Sequence, residues 1–161
     1  MEPAIDALLW FTAISVGLMA GIYFTFSVFV MKSLDAIEAP AGMLAMQSIN
    51  RIIVRTLFLP IFFASSLASA ALAVLALMAP SAPGSQLTLW GSAIYFAGIF
   101  LVTVAGNVPL NNRLEATDAK GPNGPAMWSE YLAKWTRWNH VRTLACTVSL
   151  VLLIAAIGQR M

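Results

Sequence analysis

The stretch Trp135-Thr136-Arg137-Trp138-Asn139-His140-Val141-Arg142 stands directly before an uncharged apolar run, residues 143–158. On a helix, Trp135, Asn139 and Arg142 are spaced i, i+4 and i+7, so they share one face. The apolar run is about 16 residues, or roughly 24 Å of helix, whereas a hydrocarbon core is roughly 30 Å thick. Arg142 is therefore drawn below the lipid headgroups, which indicates a function unless its side chain snorkels outward.

Composition places this stretch in an integral membrane protein. The 161 residues are 60% hydrophobic and 10% charged, with a mean hydropathy of +0.81, which is too apolar for a soluble domain of this length. The single cysteine, Cys146, excludes an intrachain disulfide. We predict an all-α protein in which residues 1–161 form one domain, an antiparallel bundle of four transmembrane helices near residues 7–31, 56–79, 87–111 and 140–158.

The basic residues predict the orientation of the bundle. All but one of them lie in or beside the first and third connections, and the second connection has no charge: Lys32, Arg51, Arg55, Arg113, Lys120, Lys134, Arg137 and Arg142. By the positive-inside rule, the first and third connections face the cytoplasm, and both termini lie outside. We expect a multi-pass protein of the inner, cytoplasmic membrane.

Residues 43–55 form an amphipathic helical stretch that we expect to run into the second span. Gln47, Arg51 and Arg55 share one face of it. Arg51 is explained by contact with lipid phosphates. Arg55 adjoins the apolar segment, so we count it among the candidate binding residues. Tyr23 and Ser27, spaced i and i+4 near the end of the first span, are also candidates for a polar site.

A second polar group, Asn107-Val108-Pro109-Leu110-Asn111, ends the third span. Asn107 and Asn111 are spaced i and i+4, and we predict that they face the Asn139 and Arg142 face. The alternative is structural, because Pro109 removes a backbone donor and the two amides could satisfy the interrupted helical turn.

The two halves of the chain show a short internal similarity. Asn50-Arg51-Ile52-Ile53-Val54-Arg55-Thr56-Leu57 parallels Asn139-His140-Val141-Arg142-Thr143-Leu144. In this register Ser27 and Met31 take the places of Asn107 and Asn111. The pattern predicts two parallel helical hairpins related by an axis along the membrane normal.

Several chemistries find little support. His140 is the only histidine, so a metal site is disfavoured. The first three spans have no titratable groups inside their boundary charges, which argues against a channel or pump. The bases lie where lipid phosphates explain them better than nucleic acid does, and no nucleotide motif is present. What remains is a polar pocket at the cytoplasmic boundary that suits a lipophilic aromatic molecule.

The run Gly106-Asn107-Val108-Pro109-Leu110-Asn111-Asn112-Arg113-Leu114, followed by Trp128, Trp135 and Trp138-Asn139-His140-Val141-Arg142-Thr143, resembles the small four-helix membrane family that includes fungal anthrone oxygenases. The resemblance extends over nearly the whole chain. Its most specific parts are the Asn-x-Pro-x-Asn and Trp-Asn-x-x-Arg pieces. It implies a membrane-embedded protein, and some members oxidise a fused-ring phenolic anthrone to an anthraquinone.

If the resemblance extends to activity, it implies a cofactor-independent oxygenation of a phenolic or quinone-type compound. His140 would remove a proton, and Arg142 and Asn139 would stabilise the resulting enolate. The remaining candidates would bind the substrate: Asn107, Asn111, Trp135, Trp138, Tyr23 and Arg55. The alternative is a noncatalytic membrane protein whose Asn and Arg residues join helices or bind a partner. Neither the substrate nor the oligomeric state follows from the sequence.

Overall fold

A computed structural model describes residues 2–161, and these residues form helices and turns without any strand. The helices are α1 (Glu2–Asp35), α2 (Ala39–Ile53), α3 (Phe58–Met78), α4 (Ser85–Glu115) and α5 (Gly124–Gly158). All except α2 are long and apolar enough to cross a membrane. The prediction of an all-α, four-span bundle is confirmed, and the chain is a multi-pass membrane protein.

The four spans surround a common axis in the order α1, α3, α4, α5, and each packs on its two neighbours in this ring. Neighbours are antiparallel, because successive spans are joined at opposite ends of the bundle. The spans α1 and α4 are therefore diagonal and parallel, as are α3 and α5. A pseudo-twofold axis along the bundle would produce this arrangement, which is consistent with two repeated hairpins.

One end of the bundle, the hairpin end, joins both chain termini to the α3–α4 turn. The Arg160 Nε donates to the Asp6 carboxylate at 2.6 Å, and Gly84 N donates to the Gln159 side chain at 3.1 Å. Gly84 has a φ of +74°, and a Cβ there would lie 2.6 Å from the carbonyl oxygen of Ala156. Glycine is therefore required where this turn packs on α5.

The opposite end, the connection end, contains a second hydrophobic core outside the four-span core. It packs α2 against the last turns of α4 and the first turns of α5, through methionines, leucines and aromatic rings. Trp128, Tyr131 and Trp135 stack in sequence, with centroid separations of 5.9 and 5.8 Å. Gln47 of α2 donates to the carbonyls of Leu114 and Thr117. The core and these bonds hold α2 across the end of the bundle.

Three of the four spanning helices, α1, α4 and α5, are longer than the predicted spans. The helix bounds also correct one prediction. The amphipathic stretch does not run into the second span, because α2 ends at Ile53 and α3 begins at Phe58. Pro60 explains the interruption: its ring is tolerated in the first turn of a helix and not in a helix interior. Thr56 then donates to the Ile53 carbonyl and accepts from Phe58 N. By contrast, α5 begins sixteen residues before the predicted fourth span and runs unbroken.

Wide π-helical turns interrupt α1 near the connection end and α4 from the middle of the span toward that end. One covers Phe26–Val30 in α1, and two cover Phe96–Leu101 and Thr103–Asn107 in α4. Such turns occur mostly as short interruptions and frequently at functional sites, because they disturb the regular i to i+4 bonding of the backbone. In this protein they lie beside the polar residues of α5.

Candidate functional site

A cavity of about 230 Å³ lies between the spans near the connection end. Four helices and the α2–α3 turn contribute to its wall, and α5 adds Trp135 and Arg142. The wall is mainly aromatic and aliphatic, with a few polar groups. The aromatic side chains are Tyr23, Phe26, Phe58, Phe62, Phe63, Phe100 and Trp135. Apolar walls with few converging polar groups are typical of small-molecule sites.

Arg142 is the only basic residue in this wall, and it is 4% exposed. Its guanidinium carbon lies 4.3 Å from the Tyr23 ring centroid and 5.1 Å from that of Trp135. Both distances allow cation–π attraction. Arg142 forms no salt bridge within residues 2–161, because each salt bridge there involves a different basic residue. A buried guanidinium faced by rings rather than by a carboxylate favours a ligand that carries negative charge.

Asn139 fixes the position of this guanidinium. Its side-chain oxygen accepts a hydrogen bond from Arg142 Nη2 at 2.9 Å, while its Nδ2 donates to the carbonyl of Tyr23 at 2.7 Å and to Ser27 Oγ at 2.8 Å. Ser27 lies in the π-helical turn of α1. Asn139 is fully buried, and its amide atoms are used by the protein. Asn139 therefore orients the Arg142 guanidinium without itself lining the cavity.

Asn107 and Asn111 both line the cavity and bond across to α5. Asn107 Nδ2 donates to the carbonyl of Trp135 at 3.3 Å, and Asn111 Oδ1 accepts from the Tyr131 hydroxyl at 2.8 Å. Neither amide bonds to the helical turn that Pro109 interrupts; the two amides join α4 to α5 instead. Asn107 and Arg142 share the cavity wall without bonding to each other.

Four buried polar atoms of the cavity-lining residues have no hydrogen-bond partner within residues 2–161. They are Tyr23 Oη, Asn107 Oδ1, Trp135 Nε1 and Arg142 Nε. Most buried polar groups in proteins are paired, and an unpaired one costs about 1–3 kcal/mol. Four such atoms around one cavity point to a ligand that both donates and accepts hydrogen bonds.

The cavity opens sideways between α4 and the start of α3. Val54 and Phe63 on one side, and Val104 and Val108 on the other, line the cavity and are also exposed on the outer surface. These four residues are apolar, and all except Val54 belong to spanning helices. In a membrane this part of the outer surface faces lipid.

Three predicted site residues lie elsewhere. His140 is exposed and does not line the cavity, so the structure gives no support to its role as a base at this site. Trp138 is 41% exposed and packs on Gly106, where a Cβ would lie 2.9 Å from its ring. Arg55 is exposed in the turn between α2 and α3. On the α5 helix, His140 points away from the face shared by Trp135, Asn139 and Arg142, and Trp138 lies at the edge of that face, against α4.

Sequence reasoning missed part of the site. Thr103 lies four residues before Asn107 on the same face of α4, and Arg142 Nη1 donates to its hydroxyl at 3.4 Å. The i, i+4 spacing was a usable signal for this residue. Tyr131 lies four residues before Trp135, and its hydroxyl joins Asn50 to Asn111. The phenylalanines of α3 gave no signal, because aromatic residues in an apolar span are equally expected to face lipid.

Comparison with known proteins identifies the family. The Anthrone oxygenase family model matches residues 53–152, which include all of α3 and α4 and most of α5. No curated protein and no solved structure matches the chain. The match covers well over half of the 161 residues and includes Asn107, Asn111, Asn139 and Arg142. The chain therefore belongs to the anthrone oxygenase family.

Proposed function

We propose that this protein oxidises a lipophilic phenolic or quinone-type aromatic compound in the cavity, using molecular oxygen. The buried Arg142 guanidinium, which faces aromatic rings and no carboxylate, is the observation that carries the proposal. Family membership supports the same class of chemistry. The volume of about 230 Å³ lies below the roughly 300–1,000 Å³ of sites for drug-sized ligands, which favours a compact ring system.

Arg142 acts in this proposal by stabilising an oxyanion. A carbonyl or phenol oxygen of the substrate accepts a hydrogen bond from Arg142 Nε, and the positive charge lowers the free energy of the enolate or phenolate form. The surrounding apolar wall strengthens this interaction, because little water screens it. Asn139 keeps the guanidinium oriented toward the cavity through its bond to Nη2.

The reaction then needs only the substrate anion and oxygen. For an anthrone, the ring CH2 group loses a proton to a water molecule that enters from the connection end past the α2–α3 turn, which leaves the enolate. The enolate carbon transfers its electron pair to O2, a carbon–oxygen bond forms, and protonation gives a hydroperoxide. Loss of one water molecule then forms the second carbonyl. Overall, one anthrone and one O2 give one anthraquinone and one water.

Water is the proton acceptor in this scheme because the cavity wall offers no better base. Within residues 2–161, the lining side chains include neither histidine nor carboxylic acid. The role that we expected for His140 is therefore not retained. The protein promotes proton loss through the charge of Arg142 rather than through a general base.

We further propose that the cavity lies at the cytoplasmic side of the inner membrane, with both termini outside. The connection end holds most of the basic residues, whereas the hairpin end has Arg160 paired with Asp6. The positive-inside rule supports this orientation.

The test measures oxygen uptake and quinone absorbance for a panel of anthrones and hydroquinones with purified protein in detergent. Loss of one oxyanion donor typically lowers turnover about 10²–10³-fold, and we expect this for Arg142→Met. Arg55→Met, which removes an exposed arginine, is the matched control. Turnover that persists in Arg142→Met would contradict the role of this residue.

The noncatalytic alternative is tested by the same samples. Arg142 and Asn139 join α5 to α1 and α4 by hydrogen bonds, which is what a purely structural cluster would do. If the parent protein turns over no member of the panel and binds none, while Arg142→Met lowers its thermal stability, the cluster serves only to join the helices.

A further inference from the structure

We propose that Asn107 makes the cavity selective for the reduced, hydroxyl-bearing form of its ligand over the oxidised quinone. The inference rests on the proposed function for the identity of the cavity as the binding site, and it adds the residue that distinguishes substrate from product. It stands on the orientation of one buried amide, on an unpartnered oxygen and on the donors that surround it.

The orientation of the Asn107 amide is fixed by its partner. Its Nδ2 lies 3.3 Å from the carbonyl oxygen of Trp135, and a carbonyl can only accept. The nitrogen must therefore face Trp135, and Oδ1 is directed away from this bond. Asn107 is 1% exposed, and Oδ1 has no partner within residues 2–161. The residue thus offers a buried acceptor beside the cavity.

The other unpartnered atoms at the cavity can all donate a hydrogen bond. Trp135 Nε1 and Arg142 Nε can only donate, whereas the Tyr23 hydroxyl both donates and accepts. A phenol, a hydroquinone or the enol form of a ketone can satisfy both kinds of group, because it presents one oxygen to the donors and a hydroxyl hydrogen to Asn107. A quinone has only acceptor oxygens, so its binding leaves Asn107 Oδ1 without a donor.

Of the two asparagines in the cavity wall, only Asn107 has a side-chain oxygen without a hydrogen-bond partner within residues 2–161. Both asparagines line the same cavity and lie one helical turn apart on α4. However, Asn111 Oδ1 already accepts from the Tyr131 hydroxyl at 2.8 Å. It therefore adds polarity to the wall without requiring a donor from the ligand. This pair of residues supplies a matched control.

The consequence is a directional preference. Sites built to bond a ligand hydroxyl discriminate strongly against an analogue that lacks it, because the buried protein group is left unpaired. Oxidation of a hydroquinone, or of an anthrone bound as its enol, removes the hydroxyl hydrogen and with it this bond, so the product binds more weakly than that form of the substrate. Asn107 thereby favours release of the quinone through the opening to the bilayer.

The experiment compares 1,4-naphthohydroquinone with 1,4-naphthoquinone, bound to the full-length protein in detergent under nitrogen and followed by quenching of tryptophan fluorescence. An unpaired buried acceptor corresponds to about 5- to 150-fold in dissociation constant. We expect the parent protein to prefer the hydroquinone by such a factor. In Asn107→Leu the preference should fall to less than about twofold, since both forms then meet an apolar wall.

Asn111→Leu is the control, and it should weaken both ligands together while keeping their ratio. A parent protein that binds both forms equally, or prefers the quinone, overturns the inference without any variant, even if Asn107→Leu does not fold. A ratio unchanged in a folded Asn107→Leu also overturns it, although the proposed oxidation would stand. Absence of binding by either ligand would instead contradict the proposed function together with the inference.

Discussion

Two segments of this protein have the same four residues and different structures. Val54-Arg55-Thr56-Leu57 forms the exposed turn between α2 and α3, whereas Val141-Arg142-Thr143-Leu144 lies within the unbroken helix α5. The arginine of the first segment is exposed, and that of the second is buried at the cavity. The four shared residues therefore do not determine the role of either arginine.

The difference begins with the residues that follow each segment. Pro60 stands three residues after Leu57, and the corresponding position after Leu144 is Thr147. The proline can be accommodated only near the start of a helix, so the first segment is left outside α3. Thr147 keeps its backbone N–H, and α5 continues. Arg142 is then carried on a rigid helix to the bundle interior.

The residue three positions before each arginine also differs between the two segments. Asn139, three residues before Arg142, bonds its guanidinium from within the same helix. Ile52 occupies the equivalent position before Arg55 and offers no polar group. In this protein an arginine therefore becomes part of a site only where an unbroken helix places it inward and a buried amide holds it.

The largest effect should come from transferring the proline. Thr147→Pro places a proline at the same distance from the second tetrapeptide, where its ring meets the carbonyl of Thr143 and removes a backbone bond. We expect a loss of about 3 kcal/mol or more in unfolding free energy. Circular dichroism during thermal unfolding in detergent measures it. Thr147→Ala, which retains the N–H, should cost less than about 1 kcal/mol, and equal losses would refute the account given for Pro60.

The next effect compares the two arginines directly. Arg142→Lys replaces a flat guanidinium that contacts two rings and Asn139 with a compact, strongly hydrated ammonium. We expect it to lower the unfolding free energy by about 1–3 kcal/mol. Arg55→Lys should change it by less than about 0.5 kcal/mol, because that side chain is exposed. Thermal unfolding of both variants decides this, and similar values would remove Arg142 from the buried cluster.

A smaller difference should separate the two threonines. Thr143 Oγ1 lies 2.8 Å from Ser27 Oγ and donates to the Asn139 carbonyl, so Thr143→Val removes a bond between α1 and α5. We expect a cost of about 1 kcal/mol. Thr56→Val affects only exposed bonds that water can replace, and it should cost less. If Thr56→Val proved the more destabilising in parallel melts, the turn would be the more important structure.

The variant with the smallest expected effect on stability tests on which side of the membrane Val54-Arg55-Thr56-Leu57 lies. Cys146 is the only cysteine and is buried, so Arg55→Cys provides one accessible thiol with little expected change in stability. A membrane-impermeant maleimide should label it in inverted vesicles and not in intact cells, if the connection end is cytoplasmic. Ser81→Cys, in the α3–α4 turn, should show the opposite pattern. Labelling of Arg55→Cys from outside would reverse the proposed orientation.

Much of the architecture could be predicted from the sequence. Four long apolar runs and a low charge content determine a bundle of membrane helices, because backbone groups within lipid must be paired inside each segment. The i, i+4, i+7 spacing of Trp135, Asn139 and Arg142 correctly predicted a shared buried face. Periodicity is reliable here because α5 is regular throughout that region.

The site itself was decided by tertiary structure. Helix geometry turns His140 about 100° from its neighbour Asn139, and packing of the Asn139 face into the bundle leaves His140 exposed. Asn107 and Asn111 bond to Trp135 and Tyr131 rather than to Asn139, and this pairing depends on how α4 packs against α5. Sequence alone specified which side chains could form a polar site. Which of their atoms remain unpaired at one cavity depends on how four helices pack, and that is set by contacts between residues far apart in the chain.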